Sequence, residues 1–487
     1  MSDRATTTTT AGDVRGREMP GGILFAGIPF AQPPVGALRL RPPQPPEAWT
    51  GVREADTFPP APAQGGTALG GGAAMTWASG EDCLYLNLFT PALDGARPVI
   101  VWIYGGGFEI GTASAPMTDV AALARATGTV VVAMNYRVGA LGWLHLADLG
   151  GPDWAGSTNL GLQDQIAALN WVRANIAAFG GDPGNITVAG ESAGAFSIGA
   201  LLAAPAAAGA FHRAILSSGS TERVFAAETA TAIASDLLAA LGLASVKELI
   251  DVPAERLLAV QGTVIESDIG RRNLPGGRAW GVVLDGSVLD RHPTAAVRAG
   301  AAAHVPLLVS TNRDETKMFA GLPGFAPADD DALLADIRQA GIGQPAGLLA
   351  AYRDRHPHAD LTELRTRFLS DAIYIVPANR LAQAQVEAGG AAYRAVFAPD
   401  PFGPEVGTPH GMDIAYIFDL LDAGNLGTPT GHAVRDDLHG AWRRFAETGE
   451  PGWPLYEPGA AGNTRLFGAP GGLISEPPHD EVTAHWR

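Results

Sequence analysis

Cysteine is almost absent from this chain, and so are the segments that direct a protein out of the cell. Cys83 is the only cysteine among 487 residues, so no disulfide can form within the chain. A long chain without disulfides is typical of a reducing compartment. Residues 1–22 are polar and rich in threonine, and they lack the basic and apolar blocks of a secretion signal. We therefore predict a cytoplasmic protein with residues 1–22 as a flexible N-terminal tail.

Clusters of basic residues and long apolar stretches are also missing. The chain has 33 basic and 50 acidic residues, a net charge of -17, which disfavours binding to nucleic acid or to anionic membranes. No apolar stretch is long enough to span a bilayer, and the alanine-rich segment Ala200–Ala210 contains Pro205. No set of His, Cys and carboxylate residues has the spacing of metal ligands, so we expect no metal or organic cofactor. The oligomeric state stays open, and a monomer is compatible with the sequence.

Apolar residues are abundant instead, and their spacing indicates an α/β fold. They make up 46% of the chain against 17% charged residues, enough for a large buried core. A helix is predicted over residues 162–179, where apolar residues recur every three or four positions. Buried strands are predicted at the apolar runs Val99–Tyr104, Val130–Met134, Ile186–Ala189, Ala214–Ser217, Val305–Ser310 and Tyr393–Phe397. Alternation of helices with such strands predicts a large, mostly parallel central sheet with helices on both faces.

Gly190–Gly194 is a G-x-S-x-G motif that follows a predicted strand. With 62 glycines in the chain, chance alone supplies roughly 0.4 matches to this pattern, so the motif by itself is weak. Its position is the stronger argument. A sharp turn between the strand and the small-residue run Ala193–Ala200 would expose the hydroxyl group of Ser192. Ser192 is therefore the candidate nucleophile.

A serine nucleophile requires hydrogen-bond donors for the oxyanion that develops on the substrate carbonyl. Three glycines precede Phe108 directly after the strand Val99–Tyr104, and no side chains obstruct their backbone N–H groups. The residue after the nucleophile, Ala193, would supply a further N–H group. An oxyanion hole is thus predicted from this loop and the start of the following helix.

The nucleophile also needs a general base and an acid that orients it, in the chain order nucleophile, acid, base. Asp314 and Glu315 both qualify as the acid, because both follow the strand Val305–Ser310. Seven histidines lie downstream of them. His410 is preferred as the base, since it lies in a loop rich in proline and glycine just after the strand Tyr393–Phe397.

At this point the sequence resembles the bacterial type B carboxylesterases, the para-nitrobenzyl esterase branch of the cholinesterase-like α/β-hydrolases. The resemblance covers nearly the whole chain, and its motifs occur in the order expected for the family. The matching stretches are Phe25–Phe30, Glu81–Asn87, Trp102–Phe108, Asn135–Gly139, Asn159–Gln165, Phe179–Pro183, Gly190–Gly194 and Trp442–Ala446.

The resemblance implies one α/β-hydrolase domain over residues 23–487. It also implies hydrolysis of carboxylic esters to acid and alcohol through an acyl-enzyme. Glu315 rather than Asp314 becomes the triad acid, beside Ser192 as nucleophile and His410 as base. The implied neighbours of the triad are an oxyanion hole of Gly106, Gly107 and Ala193, and Glu191, which lies near the nucleophile without being its base.

Two other functions have to be weighed. The same triad hydrolyses amides, carbamates, thioesters or lactones, so the class of bond rests on the resemblance. Some cholinesterase-like proteins are non-catalytic binding modules that have lost the triad. The presence of Ser192, Glu315 and His410 disfavours that second function.

The resemblance also implies two structural ion pairs, Arg39 with Glu81 and Arg137 with Asp182. One departure lies next to the acid, because Thr316 occupies a position where the family usually has glycine. We expect no direct effect of this departure on the chemistry.

Two further departures concern cysteine and tryptophan. Secreted relatives form a disulfide through the cysteine that matches Cys83, which here is expected to be a free, buried thiol. Cholinesterases bind a quaternary ammonium group on a tryptophan in the same loop. Here the loop, residues 65–80, is short and rich in glycine and alanine, and Trp77 lies too near Cys83 to match that tryptophan. No choline site is therefore expected.

Overall fold

A sheet of eleven strands forms the centre of the protein. The structure is a computed structural model that describes residues 5–65, 78–268, 280–322, 324–424, 426–460, 462–468, 472–474 and 485–486. Within those ranges the strands of this sheet are β1 Arg17–Met19, β2 Gly22–Pro29, β3 Tyr85–Thr90, β4 Arg97–Ile103, β5 Val130–Met134, β6 Gly181–Glu191, β7 Arg213–Ser217, β8 Leu307–Asn312, β9 Ala392–Phe397, β10 Thr464–Phe467 and β11 Leu473–Ile474.

The strands lie across the sheet in the order β11-β10-β9-β8-β7-β6-β4-β5-β3-β2-β1. Neighbours from β10 to β5 pair in parallel, whereas β11 and the β3-β2-β1 edge pair antiparallel. Every residue of β5 is buried, as is typical of a strand covered on both faces. The predicted large, mostly parallel sheet is confirmed.

Helices connect the parallel strands and surround the sheet. The predicted helix over residues 162–179 is present, and its last turn is a 3₁₀ helix at Ile176–Phe179. The α-helices of the described residues are α1 Val120–Thr127, α2 Gly139–Trp143, α3 Ala147–Gly150, α4 Leu160–Asn175, α5 Ala193–Leu201, α6 Ala227–Leu241, α7 Ala254–Asp268, α8 Pro293–Arg298, α9 Asp330–Gln339, α10 Pro345–Arg355, α11 Leu361–Ser370, α12 Val376–Glu387, α13 Met412–Ile417 and α14 Pro429–Thr448. None of them is long and apolar enough to cross a bilayer.

The N-terminal segment is not a flexible tail, and the prediction for residues 5–22 is wrong. Thr6–Thr9 and Gly12–Arg15 form a hairpin that continues through Val52–Glu54 into a small three-stranded sheet. The Thr7 hydroxyl group donates a hydrogen bond of 2.7 Å to the carbonyl oxygen of Ala178. Polar hydrogen bonds therefore hold this segment, and apolar periodicity in the sequence could not reveal them.

One of the two expected ion pairs is confirmed and the other is wrong. Arg39 Nε lies 2.7 Å from Glu81 Oε2. The buried Arg137 side chain instead binds Asp164 on α4, with Nη2 2.7 Å from Oδ1 and Nε 2.8 Å from Oδ2. Asp182 accepts a hydrogen bond from a nearby backbone N–H group. Arg137 pairs with Asp164 because that carboxylate is completely buried beside it and has to be neutralised there.

Cys83 is a free and buried thiol, as expected. Burial raises its pKa far above the ordinary value, so the group stays protonated. A buried, protonated thiol is a poor nucleophile. Trp77 and most of the loop predicted over residues 65–80 lie outside the described residues.

Candidate active site

Ser192 lies at a sharp turn between β6 and α5. Its backbone angles are φ 54° and ψ -121°, a strained conformation for a residue with a side chain. The flanking glycines are required because the backbone packs tightly: a Cβ atom at Gly194 would lie 2.0 Å from the carbonyl oxygen of Ile103, and one at Gly190 2.8 Å from it. The motif thus forms the sharp turn between strand and helix that the sequence predicts for a nucleophile elbow.

The three residues of the predicted triad form a continuous hydrogen-bonded chain. Ser192 Oγ lies 2.8 Å from His410 Nε2, and His410 Nδ1 lies 2.7 Å from Glu315 Oε2. The second carboxylate oxygen of Glu315 accepts a 2.8 Å hydrogen bond from the N–H group of Asn312. Glu315 is completely buried. With Nδ1 protonated and donating to Glu315, Nε2 is an acceptor for the serine proton.

The loops that carry the acid and the histidine are bound to each other through the backbone. The N–H group of His410 donates a 3.0 Å hydrogen bond to the carbonyl oxygen of Glu315. Asp314 binds elsewhere: its carboxylate accepts a 2.9 Å hydrogen bond from the N–H group of Thr408 and forms an ion pair with Arg313. Of the two acids that follow β8, the structure places only Glu315 against the histidine.

The glycine-rich loop lies directly beside the nucleophile. A Cβ atom on Gly105 would lie 3.0 Å from Ser192 Cβ, which shows how closely the loop approaches. Within the described residues, the N–H groups of Gly106, Gly107 and Ala193 have no protein acceptor. Gly106 and Gly107 have φ angles of 110° and 65°, and a Cβ atom on Gly106 would lie 2.3 Å from the carbonyl oxygen of Ile110. Three unpaired donors beside a serine hydroxyl group suit an oxyanion.

Glu191 lies on the other side of the imidazole ring. Its Oε1 atom is 3.2 Å from His410 Nε2 but does not meet the geometry of a hydrogen bond. Nε2 is directed to Ser192 instead. The predicted position of Glu191 near the nucleophile therefore agrees with the structure.

Burial and charge shift the pKa values of this cluster in opposite directions. Burial raises the pKa of Glu191 to about 8. Burial lowers the pKa of His410, but the charges of Glu191 and Glu315 raise it by more, to about 9. The Glu191 carboxylate, where it is ionised, therefore stabilises the charged form of His410 together with Glu315.

Asp413 is a member of the cluster that the sequence did not reveal. It is buried on α13 and lies 3.3 Å from the side-chain nitrogen of Asn312, the residue that also binds Glu315. Burial and the charge of Glu315 raise its pKa to about 6. An aspartate three residues after the histidine is an ordinary sequence feature, so no local signal pointed to it.

A metal site is not found in the part of the chain that the structure describes. No group of three or more His, Cys, Asp and Glu side chains lies close enough there to hold an ion. The chemistry available from the described residues is nucleophilic attack by a serine, proton transfer by a histidine and oxyanion stabilisation by backbone N–H groups.

The known proteins that this chain resembles are esterases. A profile of the carboxylesterase family matches residues 3–460. The chain is 36% identical to a para-nitrobenzyl esterase of Bacillus subtilis over 92% of each protein. It is 34% identical to a fumonisin B1 esterase of Sphingopyxis macrogoltabida, over 95% of this chain and 86% of that protein. A mouse cholinesterase is also 34% identical, over 92% of this chain and 81% of that one.

Solved structures give the same result for the fold. A carboxylesterase of Geobacillus stearothermophilus superposes with a TM-score of 0.87 at 36% identity, covering 99% of this chain and all of that one. A para-nitrobenzyl esterase structure superposes with a TM-score of 0.88 at 33% identity over 100% of both chains. The chain therefore belongs to the carboxylesterase family and is a carboxylic ester hydrolase with the α/β-hydrolase fold.

Proposed function

We propose that the chain hydrolyses small carboxylic esters through an acyl-enzyme formed on Ser192. The observation that carries the proposal is the pair of short hydrogen bonds that join Ser192 Oγ to His410 and His410 to Glu315, at 2.8 and 2.7 Å. His410 Nε2 takes the serine proton as Oγ attacks the ester carbonyl carbon. Glu315 holds the imidazole ring in the required tautomer and stabilises its charged form.

The N–H groups of Gly106, Gly107 and Ala193 would bind the oxyanion of the tetrahedral intermediate. They are fixed by the backbone and have no competing acceptor within the described residues, so they need no reorganisation during the reaction. Collapse of the intermediate expels the alcohol, which receives its proton from His410. The acyl group then remains as an ester on Ser192.

Water completes the second half of the reaction. His410 accepts a proton from the water molecule, which attacks the acyl carbon at the same oxyanion site. The second intermediate releases the carboxylic acid, and Ser192 regains its proton from the imidazolium ion. Both halves use the same residues and need no other reactant than the ester and water.

The substrate is a small-molecule ester in this proposal. The net charge of -17 disfavours nucleic acid as a partner. We also propose that residues 23–487 act as one domain, because a single sheet connects strands from β2 to β11.

A comparison of para-nitrophenyl esters with the matching para-nitroanilides tests the proposed bond class. We expect turnover of short-chain esters and very slow turnover of anilides, because an amine is a much poorer leaving group than a phenol. The acyl group is the same in each pair, so pocket fit does not differ on that side. Equal rates for an ester and its anilide would contradict the proposal and favour an amidase.

A further inference from the structure

The imidazole ring of His410 packs against an aromatic side chain from a distant segment. The centroid of the Tyr374 ring lies 4.6 Å from that of His410, with 37° between the ring planes. Tyr374 is buried, and its ring also lies 6.1 Å from that of Phe196 on α5, the helix that begins just after the nucleophile. Tyr374 therefore lies between the histidine and the nucleophile helix.

Tyr374 lies in an unusual backbone segment. Residues Asp371–Ile375 form one π-helical turn between α11 and α12. Such turns are rare and occur frequently at functional sites, because the wider turn redirects the side chains within an otherwise regular helix. The first residue of the turn is anchored, since the buried carboxylate of Asp371 accepts a hydrogen bond from the hydroxyl group of Tyr352.

Helix α11, which leads into this turn, is also bound to Thr316, the residue after the triad acid. The N–H group of Thr316 donates a 3.1 Å hydrogen bond to Ser370 Oγ, and the Thr316 hydroxyl group donates a 2.7 Å hydrogen bond to the carbonyl oxygen of Thr366. The hydroxyl groups of Thr316 and Ser370 are 3.0 Å apart. A glycine at position 316 would keep only the first of these contacts. Thr316 thus connects the Glu315 loop to the helix that leads into Tyr374.

We propose that Tyr374 is a positioning residue that holds the imidazole ring of His410 between Glu315 and Ser192. The inference rests on the catalytic roles proposed above. The hydrogen bonds at Nδ1 and Nε2 and the covalent bond to Cβ restrain the ring, but hydrogen bonds tolerate a small tilt of the ring plane. A packed aromatic face blocks this tilt. The hydrogen bonds of Thr316 hold the Tyr374 ring in a fixed position relative to the loop that carries Glu315.

The proposal is tested by replacing Tyr374 with leucine and with phenylalanine. We expect Tyr374→Leu to lower kcat by about tenfold to a hundredfold, as a misplaced catalytic group does, with KM changed by less than about threefold. Tyr374→Phe keeps the aromatic face and should stay within about threefold of the wild-type kcat. Rates are expressed per reactive site after titration with a stoichiometric organophosphate, which removes misfolded protein from the comparison.

Tyr393→Leu is the matched control, because Tyr393 is a buried tyrosine on β9 that packs against Phe445 and Trp453. Its kcat per reactive site should equal that of the wild type even where stability falls. A wild-type kcat in Tyr374→Leu overturns the proposal. Equal losses in the leucine and phenylalanine variants, or a loss confined to KM, also overturn it.

A second pair of variants keeps the proposal testable if Tyr374→Leu does not fold. Thr316→Ala removes the hydroxyl contacts, whereas Thr316→Ser retains the hydroxyl group. We expect kcat to fall about threefold or more in the alanine variant and to be unchanged in the serine variant. Equal kcat values in both would overturn the role of this link. A failure of the proposed function itself would be recognised separately, because Ser192→Ala would then retain wild-type turnover.

Discussion

Replacement of Glu315 by glutamine tests how the triad acid acts. Both carboxylate oxygens of Glu315 are accepting: Oε1 binds the N–H group of Asn312 at 2.8 Å, and Oε2 binds His410 Nδ1 at 2.7 Å. An amide has only one oxygen. If that oxygen faces Asn312, the NH₂ group faces Nδ1 and forces the imidazole ring into the tautomer that protonates Nε2. The proton of Ser192 then has no acceptor.

The opposite orientation of the amide is also unfavourable. It restores the hydrogen bond to His410 but places the NH₂ group against the buried N–H group of Asn312. An unpaired buried donor costs about 1–3 kcal/mol, so this orientation is populated in a minority of molecules. Its amide oxygen also lacks the charge that stabilises the imidazolium ion. We therefore expect kcat to fall about a thousandfold to ten-thousandfold, measured with a para-nitrophenyl ester near pH 8.

Asp314→Asn is the matched control for this measurement. Asp314 follows the same strand, but its carboxylate accepts from Thr408 and not from the histidine. An asparagine can keep that acceptor, so kcat should remain within about threefold of the wild type. A Glu315→Gln variant with more than about a tenth of the wild-type kcat would refute the reasoning. A loss of kcat in Asp314→Asn well beyond about threefold would also refute it.

Three further predictions concern charge and backbone geometry. Arg137→Met leaves a buried carboxylate unpaired and should lower the free energy of unfolding by about 3–5 kcal/mol in urea, whereas Asp182→Asn should change it by less than about 0.5 kcal/mol. A larger loss of stability in Asp182→Asn than in Arg137→Met would instead support a pairing of Arg137 with Asp182. Glu191→Gln removes the charge that raises the pKa of His410, so the acidic limb of kcat/KM against pH should move to lower pH; a move to higher pH would contradict this sign. Gly106→Ala should lower kcat about a hundredfold or more, because its φ of 110° disfavours a side chain; an unchanged kcat would exclude its N–H group from the oxyanion hole.

The positions of the proposed triad residues could be predicted from the sequence because they depend on the order of strands. Ser192, Glu315 and His410 each follow a strand with a strong apolar pattern, and parallel strands bring their carboxyl ends to one edge of the sheet. The choice between Asp314 and Glu315 needed the resemblance, since adjacent acids differ only in the direction of their side chains. The structure resolves that direction through the hydrogen bond to His410.

Contacts between distant segments could not be predicted in the same way. The pairing of Arg137 with Asp164 depends on how α4 packs, and the resemblance had implied Asp182 instead. The position of Asp413 beside the triad and the ring contact of Tyr374 depend on tertiary packing that leaves no periodic signal. Thr316 was visible as a departure from the family, but only the structure gave its hydroxyl group a partner.

Covalent labelling of the nucleophile tests the central claim most directly. The enzyme is incubated with an organophosphate ester, digested and mapped by mass spectrometry, with Ser192→Ala as the matched control. We predict one adduct per chain on Ser192, loss of esterase activity in proportion to labelling, and neither labelling nor turnover in the variant. An adduct on another residue, or esterase turnover in Ser192→Ala close to that of the wild type, would contradict the account.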